Sequence, residues 1–176
     1  MDFYHYTTSH LWNTRIVKEG LHPKRTLIGP PSDSDALNRF SMPGFAVKKY
    51  SFGLCEPEPQ SWTESGAFES LAKHVMRWSS EYRSEPEFCP RMVLIKTIVP
   101  KKRIFVLDSA YISDFWKANG FHEKQYFLGK YLESFRSAEA YRGGYALPEI
   151  VTKEILPPDR LTCIWTGRLD ELIAHG

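Results

Sequence analysis

Two apolar runs separated by only three residues constrain this chain more than anything else in it. Arg91-Met-Val-Leu-Ile-Lys-Thr-Ile-Val99 and Arg103-Ile-Phe-Val-Leu-Asp108 are dominated by β-branched and large apolar side chains. Runs of that length and composition predict strands. The tight Pro100-Lys-Lys connection between them predicts neighbours in a central mixed or antiparallel pair. The elements expected around that pair are a strand and short helix at the start, an aromatic strand, a long helix, then helices, then strands to the end. Such an order is α+β rather than alternating α/β.

The flanking elements carry their own punctuation. Ser9 to Glu19 begins with a serine able to cap free N–H groups and ends at Gly20, which reads as one short helix. Thr26-Leu-Ile-Gly-Pro-Pro-Ser-Asp-Ser-Asp35 reads as a surface loop, too short to divide domains. Phe45 to Leu54 mixes aromatic and β-branched residues ahead of Glu56-Pro-Glu-Pro59, which predicts a strand bent or bulged near Gly53. Ser61 with Glu64 makes a capping-box pattern, and Phe68, Leu71, Ala72, Val75 and Met76 continue a helix to about Tyr82. Residues 111 to 118 and 122 to 135 read as helices parted by Asn119-Gly120. After the Gly143-Gly144 turn, 145 to 155 and 161 to 165 read as strands.

Composition excludes more than it selects. At 176 residues the chain fits one ordinary domain, residues 1 to 176, able to bury its own core without crosslinks. A formal charge of +2 does not announce a nucleic-acid binder. The three cysteines, Cys55, Cys89 and Cys163, are widely spaced and show no Cys-x-x-Cys pairing, so neither a disulfide framework nor a metal site is expected. No stretch approaches the roughly 18 apolar residues of a membrane span, and no basic leader opens the chain. The expected address is a reducing cytoplasm, its own or that of a target cell into which an effector is delivered. Phosphate-loop, dinucleotide-fingerprint, zinc-helix and nucleophile-elbow motifs are all missing from the sequence.

Two segments carry the chemistry. Asp2-Phe-Tyr-His-Tyr-Thr-Thr-Ser9 offers a histidine and then a hydroxyl on an aromatic strand just before a helix. An imidazole there can meet a ribose hydroxyl, and strand backbone can exchange hydrogen bonds with a flat carboxamide. The second segment, Tyr145-Ala-Leu-Pro-Glu-Ile-Val-Thr-Lys-Glu-Ile-Leu-Pro-Pro158, places a glutamate at the start of a late strand. Together they resemble the first and last signatures of the ADP-ribosyltransferase superfamily, in its histidine–tyrosine–glutamate branch. Tyr50-Ser-Phe-Gly-Leu54 followed by Glu-Pro-Glu-Pro is similar to the aromatic strand and proline break of that superfamily's DNA-targeting toxin branch.

The resemblance implies a split mixed or antiparallel sheet core with flanking helices, and NAD as co-substrate. It assigns His5, Tyr6 and Thr7 to NAD binding, with Thr7 either binding or capping the helix. Tyr50 becomes the aromatic against nicotinamide, with Phe45 and Phe52 as rivals, and Arg39 a partner for pyrophosphate or acceptor. Glu149 becomes the catalytic carboxylate, acting at the ribose. Glu154 competes with it, on an expected strand where an odd offset turns it to the opposite face. Leu147 stands where arginine-modifying members carry a second acid or amide, which argues against arginine as acceptor. The implied activity is mono-ADP-ribosyl transfer to a nucleic acid, a protein or a small molecule. NAD glycohydrolysis and a catalytically silent nucleotide- or partner-binding domain are the alternatives.

Overall fold

A computed structural model describes residues 1–24, 49–71, 91–168 and 171. It shows helices with two antiparallel sheets, the mixed α+β class that the element order predicts. The chain gathers into two compact units. One takes its described residues from Met1–Leu21, Gly53–Val99 and Leu156–Gly176, the other from His22–Phe52 and Pro100–Ile155. Arg39, Phe45, Cys89 and the predicted helical positions Ala72, Val75 and Met76 lie outside the described residues.

In the first unit β1 (Asp2–Thr8), β3 (Arg91–Ile98) and β7 (Thr162–Arg168) form a sheet of order β1-β3-β7. The β1–β3 register runs without interruption from Asp2 opposite Ile98 to Thr8 opposite Met92. Met92, Val93, Leu94 and Ile95 are all buried, so β3 is covered on both faces, as its near-continuous apolar run requires. A helical segment follows β1: α1 (Ser9–Leu11), a π-helical turn over Trp12–Ile16, and α2 (Val17–Glu19). The expected cap moves by one residue. Thr8 Oγ1 accepts from the Leu11 N–H at 3.3 Å, while the Ser9 hydroxyl makes no hydrogen bond among the described residues.

Two glycines matter in this unit. Gly20 ends the helical segment at φ 85°, and a Cβ there would lie 2.4 Å from the Leu156 carbonyl oxygen. Gly53 is the close-approach residue that the sequence suggested as a bend. A Cβ on it would meet the Phe3 ring and the Tyr4 carbonyl, each at 2.7 Å. That approach lets Leu54 bond Tyr4 through both backbone groups, at 2.8 and 2.9 Å. Next in the chain, α3 (Gln60–Glu64) starts two residues earlier than its capping-box pattern suggests. Pro59 stands at the cap position, and Glu64 accepts from the Gln60 side chain.

The second unit holds β4 (Ile104–Asp108), β5 (Arg136–Ser137) and β6 (Pro148–Thr152), in a sheet of order β2-β6-β4-β5 whose first strand is β2 (Ser51–Gly53). The pairing expected between the two apolar runs is therefore overturned, since β3 and β4 belong to different sheets. Pro100 has no N–H with which to close a hairpin, and Lys101–Arg103 wind into a 3-10 turn with Arg103 N–H on the Pro100 carbonyl.

Helices α4 (Ser109–Lys117) and α5 (Phe121–Glu133) part at Ala118-Asn119-Gly120, close to prediction. On α5, Leu128, Tyr131 and Leu132 repeat at three-and-four spacing and cluster with Tyr50, Leu107, Phe115 and Val151. The strand predicted over 145 to 155 is shorter: β6 runs from Pro148 and stops at Thr152. Thr152 Oγ1 donates to the Arg103 carbonyl and accepts from Glu154 N–H, which turns the chain out of the ladder.

Candidate functional site

On β1 the period of two sets Phe3, His5 and Thr7 on one face, with Tyr4, Tyr6 and Thr8 on the other. His5 is half-buried opposite Ile95, and Thr7 is buried opposite Val93. With Thr8 as the helix cap, Thr7 is released from the capping role considered for it. Tyr6 sends its side chain the other way. Its hydroxyl donates to the Pro57 carbonyl at 3.0 Å, and its ring meets Phe68 edge-on at 5.3 Å. Burial, with the negative charge of Glu58, raises the Tyr6 pKa, so the phenol keeps its proton.

The backbone of β1 has a direction as well. Both backbone groups of Tyr4 bond Leu54, on the edge of β1 away from β3. Alternate residues of an antiparallel strand turn both groups to the same edge. The N–H and C=O of Tyr6 are therefore directed to that outer edge, between the side chains of His5 and Thr7.

In the second unit Glu149 occupies the second position of β6, half-buried, opposite Leu107. It shares a face with Val151, and that face carries the aromatic core against α5. A carboxylate bordering such a core needs a donor. Tyr131 supplies one: its buried hydroxyl donates to Glu149 Oε1 at 2.5 Å. Burial raises the Tyr131 pKa well above its ordinary value, and the adjacent negative charge and hydrogen bond of Glu149 raise it further. The phenol therefore stays a donor through neutral pH.

The backbone leading into Glu149 is held from the end of β4. Buried Asp108 accepts from the N–H groups of Ala146 at 3.0 Å and Leu147 at 2.9 Å, and caps α4 by accepting from Ala110 at 3.1 Å. Ser109 N–H returns a bond to the Leu147 carbonyl at 2.8 Å. Ser134 joins this network to α5, accepting from Asp108 N–H at 3.0 Å and donating to the Tyr131 carbonyl at 2.6 Å.

Of the other residues nominated from sequence, Tyr50 is a core side chain, 1% exposed, with the Phe135 ring edge-on at 6.1 Å and Lys153 Nζ 5.3 Å from its centroid. It lies in the same cluster as Tyr131, so the structure gathers Tyr50, Tyr131 and Glu149 in one unit. Phe52 packs partly buried against that cluster. Glu154 is not the opposite-face rival expected on the strand. It lies beyond the end of β6 and forms an ion pair with Arg103. His5, Tyr6 and Thr7 belong to the first unit, Tyr50 and Glu149 to the second.

Sequence reasoning missed Tyr131 and Asp108. Both left a signal: a tyrosine in a buried helical stripe requires a partner for its hydroxyl, and an aspartate between a strand and Ser109-Ala110 is a helix cap. Among the described residues no cluster of three or more histidine, cysteine, aspartate or glutamate side chains could hold a metal ion. No helix among them is long and apolar enough to cross a membrane. Compared with protein-family models, with curated proteins and with solved structures, the chain matches none.

Proposed function

We propose that the chain is an NAD-dependent mono-ADP-ribosyltransferase with an ADP-ribosyltransferase-like core. It cleaves the nicotinamide–ribose bond and transfers ADP-ribose to a nucleic-acid, protein or small-molecule acceptor. The observation that carries this reading is the backbone of Tyr6, whose N–H and C=O both turn to the outer edge of β1, set between the His5 and Thr7 side chains. A residue offering its N–H and C=O together matches the acceptor and donor of a carboxamide, and the neighbouring imidazole is suited to a ribose hydroxyl. The resemblance assigns the complementary charge to Glu149. As nicotinamide departs the ribose becomes cationic, and a carboxylate held on a rigid strand stabilises that cation without reorganising.

Three measurements test the proposal. NAD should raise the thermal stability of the wild-type protein by mass action, and nicotinamide should appear in solution. His5→Ala should weaken NAD binding by about 1 to 3 kcal/mol through loss of a buried hydrogen bond. Glu149→Gln should keep the fold and most NAD affinity but lose roughly 10²-fold or more in nicotinamide release, whereas Glu154→Gln keeps full activity. Labelled ADP-ribose is then offered to DNA, RNA and protein. Release without transfer identifies a glycohydrolase, stabilisation without release a silent nucleotide-binding domain, and neither effect sinks the reading.

A further inference from the structure

We infer that Tyr131 is a positioning residue for Glu149, and that this glutamate is held from two sides at once, by Tyr131 on α5 and by Asp108 at the end of β4. The inference deepens the proposed transferase reading and rests on it. From the side-chain end, the Tyr131 hydroxyl donates to Glu149 Oε1 at 2.5 Å. From the backbone end, Asp108 accepts from Ala146 and Leu147, the residues that lead into β6. The two holds meet at Ser134. Its hydroxyl accepts from the Asp108 N–H and donates to the carbonyl of Tyr131, closing a ring that runs from Glu149 through Tyr131, Ser134 and Asp108 back along the chain to Glu149. Tyr145 adds a strut, its hydroxyl donating to the Ser134 carbonyl at 2.5 Å.

The ring has a clear physical use. A glutamate has three side-chain torsions to fix, and on a half-exposed strand end it samples several rotamers. A hydrogen bond from a phenol that cannot move selects one of them. Tyr131 is 1% exposed and packed among Leu107, Leu128 and Val151, so its oxygen is a fixed point. The carboxylate is thereby aimed before substrate arrives, which is where placement contributes most to rate. Tyr131 does not touch the substrate and acts only through Glu149.

Tyr131→Phe keeps the ring and removes only the hydroxyl oxygen. The expected result is a fall in kcat for nicotinamide release of about tenfold or more, with KM for NAD changed by less than about threefold. In parallel, the Glu149 carboxyl carbon, followed by NMR, should titrate at higher pH than in the wild type, because the lost donor favoured the ionised form. A merely structural tyrosine would lower thermal stability and leave both the kcat-to-KM split and that titration unchanged, which overturns the inference. If Tyr131→Phe does not fold, the wild-type protein carries the test. A protected Tyr131 hydroxyl proton that disappears in Glu149→Ala supports the pairing, and one that persists overturns it. The carboxyl titration needs no turnover. An inactive wild type whose Glu149 still responds to Tyr131 therefore sinks the transferase reading alone, whereas an active wild type with an indifferent Glu149 sinks the role of Tyr131.

Discussion

β1 and β6 each offer one polar side chain of interest among buried neighbours, yet they hold it by different means. His5 is placed by register. Seven consecutive pairs lock β1 to β3, and the imidazole goes where the pleat sends it. Glu149 has a ladder partner in Leu107, but its side chain and the backbone entering it are held by Tyr131 and Asp108. A ladder distributes its strength over many equivalent backbone bonds, whereas a side-chain network concentrates it in a few atoms. The region around Glu149 should therefore be far more sensitive to single-atom changes in polar side chains, and the region around His5 to changes in backbone geometry.

The largest expected effect tests the first half of that contrast. Asp108→Asn retains size but replaces one acceptor oxygen by an N–H₂ group, which then faces backbone N–H donors from Ala110, Ala146 or Leu147. Loss of charge-assisted bonds at a buried position should cost about 3 kcal/mol in urea unfolding. A cost below about 1 kcal/mol would show that the clasp is not what holds the entry to β6, and the contrast would fail.

Gly20→Ala probes the other half. Its φ of 85° disfavours any side chain, and the new Cβ would be driven against the Leu156 carbonyl oxygen, a backbone atom with little room to yield. The cost should be about 2 kcal/mol by thermal or urea unfolding. The neighbouring backbone bonds between Leu21 and Leu156, at 2.9 and 3.0 Å, should be the first amides to lose exchange protection. Unchanged protection there would mean that this junction is looser than its geometry.

The contrast also explains what could be read in advance. Elements that rest on local pattern were legible: the apolar runs that became β3 and β4, the stop at Asn119-Gly120, and the helix end at Gly20. Their partners were not, because pairing is decided by the whole chain. A three-residue connection suggested neighbouring strands, yet it holds a 3-10 turn, and β3 and β4 belong to separate sheets. At the site, Glu149 was legible as the residue opening a late strand, whereas Tyr131 lies 18 residues upstream on a helix whose sequence shows only an apolar stripe. A hydroxyl on such a stripe signals that a partner exists and cannot say which. Tyr50 gives the converse lesson. An aromatic strand residue reads as core more often than as a stacking platform, and Tyr50 is buried in the core.

The smallest expected effect comes from Tyr6→Phe, where one hydrogen bond is lost within a strand otherwise held by its ladder. The hydroxyl donates to the Pro57 carbonyl, so its removal should cost about 1 kcal/mol at neutral pH while the ring keeps its packing on Phe68. The pH dependence distinguishes that bond from lost packing. Burial and then Glu58 raise the Tyr6 pKa in the folded state above its ordinary value near 10. A group raised on folding contributes stability that is fully present below the unfolded pKa and is lost as pH climbs above it, because the unfolded chain then ionises first. The stability difference between the wild type and Tyr6→Phe should therefore shrink as pH rises past about 10, since phenylalanine has no proton to lose. A difference that stays constant to high alkalinity would mean that the phenol is solvated in the folded protein, and β1 would lose its one side-chain anchor to Pro57.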